Sequence, residues 1–505
     1  MKQHHSEEIE RRKCRLEVRL GRGTHAQQGR PMFAGGNEHF EMSERTVATS
    51  HGGIGLLHRF VRQVGLADEI DATVQVFKGP SPYRVSDHVL NLTYNVVCGG
   101  RTLDDLELLR HDEAYMNALG AARLPDPTTS GDFLRRLDRD DIDDLSEAIN
   151  ETRTRVWKQN KSSFFDLALI DIDGTIAGTQ GECKEGMDMS YKGVWGYAPL
   201  LVTLSNTGEI LYTRNRPGNR PSHDGCFEYM DPAVEVVRDA GFKRVRLRGD
   251  CHFSLTDDFD YWTKSDVEFV FGVAGHPSVV KLAKELAEGE WKRLQRNSQS
   301  ARPCRRGTRK PRVKQRIIEE RAYKNLELER EDYAEFAYQP GKCSRQYRMV
   351  VLRKAINVKR GQALLIPEVR YHFYITNVAK SVLSARQVIR NANARCNQEN
   401  LIEQTKNGVH AMRMPCDTLL ANDAYMVMAC LAWNLKQWMA QLWPNRDEGD
   451  DLMRMEFRRF IASIVAIPCQ VVRTGRRIVH RFLGYSTWLT SIFRAHSHFK
   501  RLRFA

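Results

Sequence analysis

The segment 164–173, FFDLALIDID, constrains the fold most. It is apolar on consecutive positions, too short for a helix, and ends on two aspartates. A strand apolar on both faces belongs inside a parallel or mixed sheet covered by helices. The residues that follow keep to this plan. Residues 199–204 and 209–214 read as strands joined by the turn Asn206-Thr207-Gly208. Asp231-Pro232 reads as the N-cap and first residue of a helix that stops at Gly241. Residues 245–248 form a strand running into Gly249-Asp250, and residues 267–273 (VEFVFGV) another. The order strand, strand, strand, helix, strand, helix, strand predicts an α/β fold built on a hairpin-led mixed sheet.

The flanks differ. Residues 1–50 show no sustained periodicity and predict a poorly ordered start. From Gly53 to about Asn160 the pattern is helical: Ser86 can cap a helix through Cys98, Thr102 the next, and Thr128 a third that carries Phe133, Leu134 and Leu137. Short helices with tight turns resemble a helix-turn-helix module. Beyond residue 273, strands are expected at 334–338, 346–352 and 371–376, and helices return from Ser384. Residues 419–443 read as a buried core helix, with Trp433 inside it.

Charge points to a polyanionic partner. The 505 residues carry a net charge of +14. Lys292 to Arg316 holds eleven bases and no acid, and Leu452 to the end eleven bases against Glu456 alone. The segment 162–275 has eleven bases against eighteen acids. Carboxylates hold cations while Lys and Arg hold phosphates, so this division suits a metal-bearing site acting on nucleic acid. No apolar run reaches the ~18 residues of a membrane span, and the N-terminus is polar, so no membrane partner is expected. The eleven scattered cysteines contain no Cys-x-x-Cys pair, which fits a reducing cytosol and excludes a zinc ribbon.

Three acids occupy meaningful positions. Asp171 and Asp173 lie two apart at the end of the first strand, on one face. Asp250 ends the fourth strand. Glu399 stands on a predicted helix four residues after Arg395 and seven before Lys406, and at ~100° per residue all three share one face. A surface salt bridge is the plain reading of that helix; a metal ligand flanked by phosphate holders is the functional one.

These residues, in this order, resemble a DDE transposase of bacterial insertion sequences, in the group whose RNase H-like catalytic core is split by a β-rich insertion. Asp173-Gly174-Thr175 matches the Asp-x-Thr box of the first catalytic Asp, and Arg248-Gly249-Asp250 the strand end of the second. Arg395-x3-Glu399-x6-Lys406 fits the helical Tyr-Arg-Glu-Lys box, with Ala392 standing where the family has Tyr. The phrases GECKEGMDMSYKGVWGY, NRPGNRPSHDG and QENLIEQTK are also similar to the family.

The resemblance implies a mixed α/β, RNase H-like fold and a chain divided into a poorly ordered N-terminus (1–52), a helical DNA-binding domain (53–161), a first part of the catalytic core (162–279), a β-rich basic insertion (280–380), a second core part with the Glu helix (381–445) and a basic helical C-terminal region (446–505). It implies that Asp173, Asp250 and Glu399 bind Mg²⁺, or Mn²⁺ in its place, with Arg395 and Lys406 on phosphates. Arg305, Arg306, Arg309, Lys310, Arg476 and Arg477 are the expected DNA contacts. The partners implied are the element's terminal inverted repeats and target DNA, engaged by a homodimer on paired ends, in the bacterial cytoplasm at the nucleoid. Trp291 and Trp433 are candidates for stacking on an extruded base.

Two other readings compete. Asp171-Ile172-Asp173-Gly174-Thr175 also fits the nucleophile box of haloacid dehalogenase-type phosphatases, with Asp171 as nucleophile and Asp173 as acid/base. A hairpin follows that box instead of a crossover helix, and Ser254 stands where a further acid is needed. The last reading is an inactive DNA-binding remnant of a transposase, against which all three acids are present.

Overall fold

The computed structural model describes residues 3–22, 38–43, 46–296, 313–360, 363–364, 368–475 and 477–504. The chain forms two compact units. The first comprises Met1–Phe164, Gly174–Pro221 and Glu399–Ala505, the second Phe165–Asp173 and Ser222–Gln398.

The first unit is mainly helical and is organised around the helix Leu419–Gln441, in which every residue from Ala421 to Ala440 is buried. Such a helix must be covered on all sides. Helices Val85–Val97, Pro127–Arg136 and Arg139–Trp157 and the strand Glu209–Arg214 pack against it. Gly208, at φ 67°, closes the expected hairpin between Leu200–Leu204 and Glu209–Arg214. Its carbonyl accepts from Trp433 Nε1 at 2.7 Å, so Trp433 is a core residue. Glu209 is wholly buried and accepts from Arg153, Trp157, Trp438 and Gln441 at 2.7–2.9 Å, so its charge is fully satisfied.

Several helix starts differ from the sequence expectation. Ser86 gives both its N–H and its hydroxyl to Asp71, and Arg84 is the N-cap. Thr102 is held by Asp105 ahead of Leu106–Arg110. Asp126 caps Pro127–Arg136 by accepting from Thr129 N. The N-terminus holds a helix, Gln3–Arg22, in place of the expected irregular start; it has few apolar residues and is laced by Glu8–Arg11 and Glu8–Arg12 pairs, a pattern without a core stripe. The C-terminal region is not wholly helical: Cys469–Thr474 and Arg477–Phe482 form a hairpin through Gly475, paired with Ala48–Thr49. Its short β-branched pairs, Val471-Val472 and Ile478-Val479, favour strand over helix.

Lys436 is buried in the central helix, its Nζ donating to Met453 O at 3.0 Å and lying 4.1 Å from the centre of the Trp433 ring. Burial lowers its pKa to about 7. The unfolded chain, with an ordinary lysine near 10.4, therefore binds more protons across the interval between the two values. Stability from this group is full above the unfolded value and is lost as pH falls toward 7. Urea unfolding should show a gain of about 2 kcal/mol from pH 7 to 9 that Lys436→Met removes.

The second unit is a sheet with covered faces. Ala168–Gly174 pairs in parallel with Val245–Gly249, and that strand in parallel with Val267–Val273. The helix between the first two strands runs from Phe227 to Asp239 and starts a turn before the expected Asp231. Pro232 is tolerated inside it because it removes only one early N–H bond. Beyond Val267–Val273 the sheet continues antiparallel through Glu368–Thr376, Tyr347–Arg360 and Lys324–Tyr338. The strands of the expected insertion thus extend the same sheet. Helix Ala385–Asn393 covers one face through Val388 and Ile389 against Val270, Val350 and Leu352. Phe259, Trp262, Phe269, Phe271 and Tyr347 cluster together, with the 259 and 269 rings 4.4 Å apart.

Candidate catalytic site

Parallel pairing sets the site's registry. Asp171 lies opposite Arg248, so Asp173 and Asp250 each follow two residues later at the ends of adjacent strands. Alternation keeps Asp171 and Asp173 on one face, and Arg248 and Asp250 on one face.

The buried members of these pairs form a clamp. Arg248 Nε and Nη2 donate to the two oxygens of Asp171 at 2.6 and 2.7 Å, and both residues are almost wholly buried. Arg248 Nη1 also donates to Asn391 O at 3.2 Å. Arg246 donates to Glu268 at 2.6 and 2.8 Å and to Asn391 Oδ1 at 3.1 Å. Two arginines at alternate positions of one strand therefore hold the end of helix Ala385–Asn393. A bidentate Arg–carboxylate pair fixes orientation as well as distance.

The chain leaves that helix and reaches Arg395, whose Nη2 donates to Ile172 O at 3.2 Å and lies 3.5 Å from Asp173 Oδ2. Its Nε is buried with no hydrogen-bond partner. Asp250 accepts from His252 N at 2.8 Å, and its other oxygen faces His252 Nδ1 at 3.2 Å. Asp250, Cys251 and His252 bring ligand atoms within 4.8 Å of one another. Burial and the neighbouring Asp250 charge raise the Cys251 thiol. The carboxylates of Asp173 and Asp250 are hard oxygen donors, the chemistry that suits a divalent cation.

The structure brings Asp173, Asp250 and Arg395 into the second unit, while Glu399 and Lys406 fall in the first. Glu399 is exposed on the helix Cys396–Glu403. The helix expected from Arg395 to Lys406 starts one residue late, at Cys396, and passes without interruption into the π-helical turn Gln404–Gly408 that holds Lys406. The wider turn changes the shared-face angle there. Lys406 Nζ donates to Ile176 O at 3.0 Å, and burial lowers its pKa. Arg477 is exposed on its hairpin. Arg305, Arg306, Arg309, Lys310 and Arg476 lie outside the described residues. Trp291 is occupied by Arg353, 4.2 Å over its ring. Sequence reasoning missed Arg248 and Asn391. The signal for Arg248 was its place two residues before an acid, mirroring Asp171 before Asp173.

A mixed sheet whose adjacent parallel strands end in acids, in a chain with two strongly basic stretches, suits an enzyme of phosphodiester chemistry on nucleic acid. The family profile described as Transposase DDE domain group 1 matches residues 44–504, and the chain belongs to that family. It is a DDE transposase, an enzyme of DNA cleavage and strand transfer. No curated protein matches it. Among solved structures it is similar to a piggyBac transposase synaptic complex with hairpin DNA, determined by cryo-EM, at 11% identity and a TM-score of 0.34, covering 83% of this chain and 84% of that one. That likeness is too distant to carry residue roles across. Asp171, which a phosphatase would need as nucleophile, is sealed against Arg248. No helix among the described residues is long and apolar enough to cross a membrane.

Proposed function

We propose that the chain moves a bacterial insertion sequence by cut-and-paste, with Asp173, Asp250 and Glu399 as its acid triad. The observation that carries the proposal is the register of Asp171 with Arg248, which sets Asp173 and Asp250 at adjacent strand ends. The three carboxylates would hold Mg²⁺, with Mn²⁺ able to replace it. Such cations lower the pKa of the attacking hydroxyl and stabilise the leaving oxygen. Arg395, tied to Ile172 O, orients the Asp173 carboxylate. Lys406, fixed on Ile176 O, offers its remaining N–H donors to the DNA backbone. The substrate is a pair of terminal inverted repeats bridged by a homodimer, followed by target DNA, in the bacterial cytoplasm at the nucleoid.

The test is incubation with DNA carrying the element's ends and Mg²⁺, followed by detection of cleaved and joined strands. Ends left intact under conditions where the protein binds them would sink the proposal. The exposed hairpin arginines give a second check. Arg473→Ala with Arg477→Ala should lower the log–log salt slope of end binding by about 1.8, at about 0.9 per phosphate contact. An unchanged slope assigns the hairpin to solvent.

A further inference from the structure

The loop 77–83 and one face of the helix Pro127–Arg136 enclose a cavity of about 480 Å³ within the first unit. Aromatic rings gather there. His88 stacks on Phe133 with centroids 4.3 Å apart and planes within 8°, and Phe77 leans against His88 at 5.7 Å. Tyr83 completes this group edge-on to His88, its hydroxyl anchored on Leu124 O at 3.1 Å. His88 is 3% exposed, and its Nδ1 has no hydrogen-bond partner. Burial lowers its pKa to about 4, so the ring is neutral at physiological pH. Lys78 and Arg136 also line the cavity, both exposed and neither in an ion pair among the described residues.

This combination selects its ligand. Ring faces attract a flat aromatic group, while two unpaired cations attract a phosphate. The neutral imidazole, its Nδ1 buried, serves as a ring and gives an anion little. We propose that this cavity takes one unstacked nucleotide of a DNA strand, its base against Phe77 and the His88–Phe133 stack and its phosphates on Lys78 and Arg136. The proposal rests on DNA as the substrate and not on the assignment of the catalytic acids.

The test measures binding of the full chain to a short oligodeoxythymidine and to an abasic strand of equal length, by fluorescence anisotropy between about 50 and 200 mM salt. The thymidine strand should bind about tenfold tighter than the abasic one. Phe77→Leu, which keeps the apolar volume, should erase that tenfold difference. His88→Leu, which removes the ring stacked on Phe133, should reduce it and serves where Phe77→Leu does not fold. Lys78→Ala with Arg136→Ala should lower the salt slope on both strands by about 1.4, at about 0.7 per single-strand phosphate. Equal binding of thymidine and abasic strands, or variants that match wild type on both, would overturn the proposal. Asp173→Ala should leave every one of these values unchanged. Wild-type protein that shows this binding pattern but leaves DNA ends uncleaved therefore tells against the proposed function alone, and wild-type cleavage with the pattern absent tells against the cavity alone.

Discussion

Alanine at Asp173, Asp250 or Glu399 should cut strand cleavage by about a thousandfold or more while end binding stays near wild type. Each substitution removes a hard oxygen donor from the proposed metal site, and the transition-state charge it helps offset is of the order of several kcal/mol. Asp173 and Asp250 are half-buried at the ends of strands whose buried positions do the packing, so neither loss should unfold the sheet. The measurement is single-turnover cleavage of labelled DNA ends beside an equilibrium binding assay. Wild-type cleavage in any one variant would remove that residue from the triad. Glu399 is the most informative of the three, because its place rests on sequence spacing and family resemblance while the other two share a register.

The second large effect concerns the sealed pair behind those acids. Asp171→Leu should destabilise the protein by about 3–5 kcal/mol, because it strands the Arg248 guanidinium in a buried site. The double variant Asp171→Leu with Arg248→Met should recover most of that loss in a denaturant titration, since an apolar pair of similar volume has no charge to strand. Cleavage should not recover with it. The double variant lacks the bond from Arg248 to Asn391 that holds the chain leading to Arg395, and a misplacement near 1 Å can cost about a hundredfold in rate. A double variant as active as wild type would show the clamp to be structural only. Phosphomonoester turnover abolished by Asp171→Asn would reinstate the phosphatase reading; none is expected from a carboxylate locked at 2.6 Å on an arginine.

Much of this was legible in the sequence, for a physical reason. Buried strands need consecutive apolar residues, so 245–248, 267–273 and most of 164–173 announced themselves, though the last opens on the 3-10 turn Ser162–Asp166 and its strand starts at Ala168, and acids at their ends stood out against that background. The clamp was not legible in the same way. Asp171 and Arg248 are 77 positions apart, and only the parallel register makes them partners. No glycine or proline between Arg395 and Lys406 marks the late start or the wider turn, so a regular helix across them was the natural reading. The C-terminal hairpin is short and sits among arginines, where charge outweighs a β-branched pair in any window. The insertion looked like a separate module because sequence shows strands but not their neighbours.

That last point changes what evolution can do with the insertion. Strand Val267–Val273 contributes Phe269, Val270 and Phe271 to the core and is hydrogen-bonded on its outer side by Glu368–Thr376. Excision of the insertion would turn a sealed seam into an open edge, a row of unpaired amides beside large apolar side chains, which is the template on which chains aggregate. The turn that joins Lys324–Tyr338 to Tyr347–Arg360 is tied back to the same unit, with Lys342 donating to Asp257 and Ser344 and Tyr347 to Asp260. The strands added beyond Val267–Val273 are therefore held at the edge they cover, and their loss would expose it.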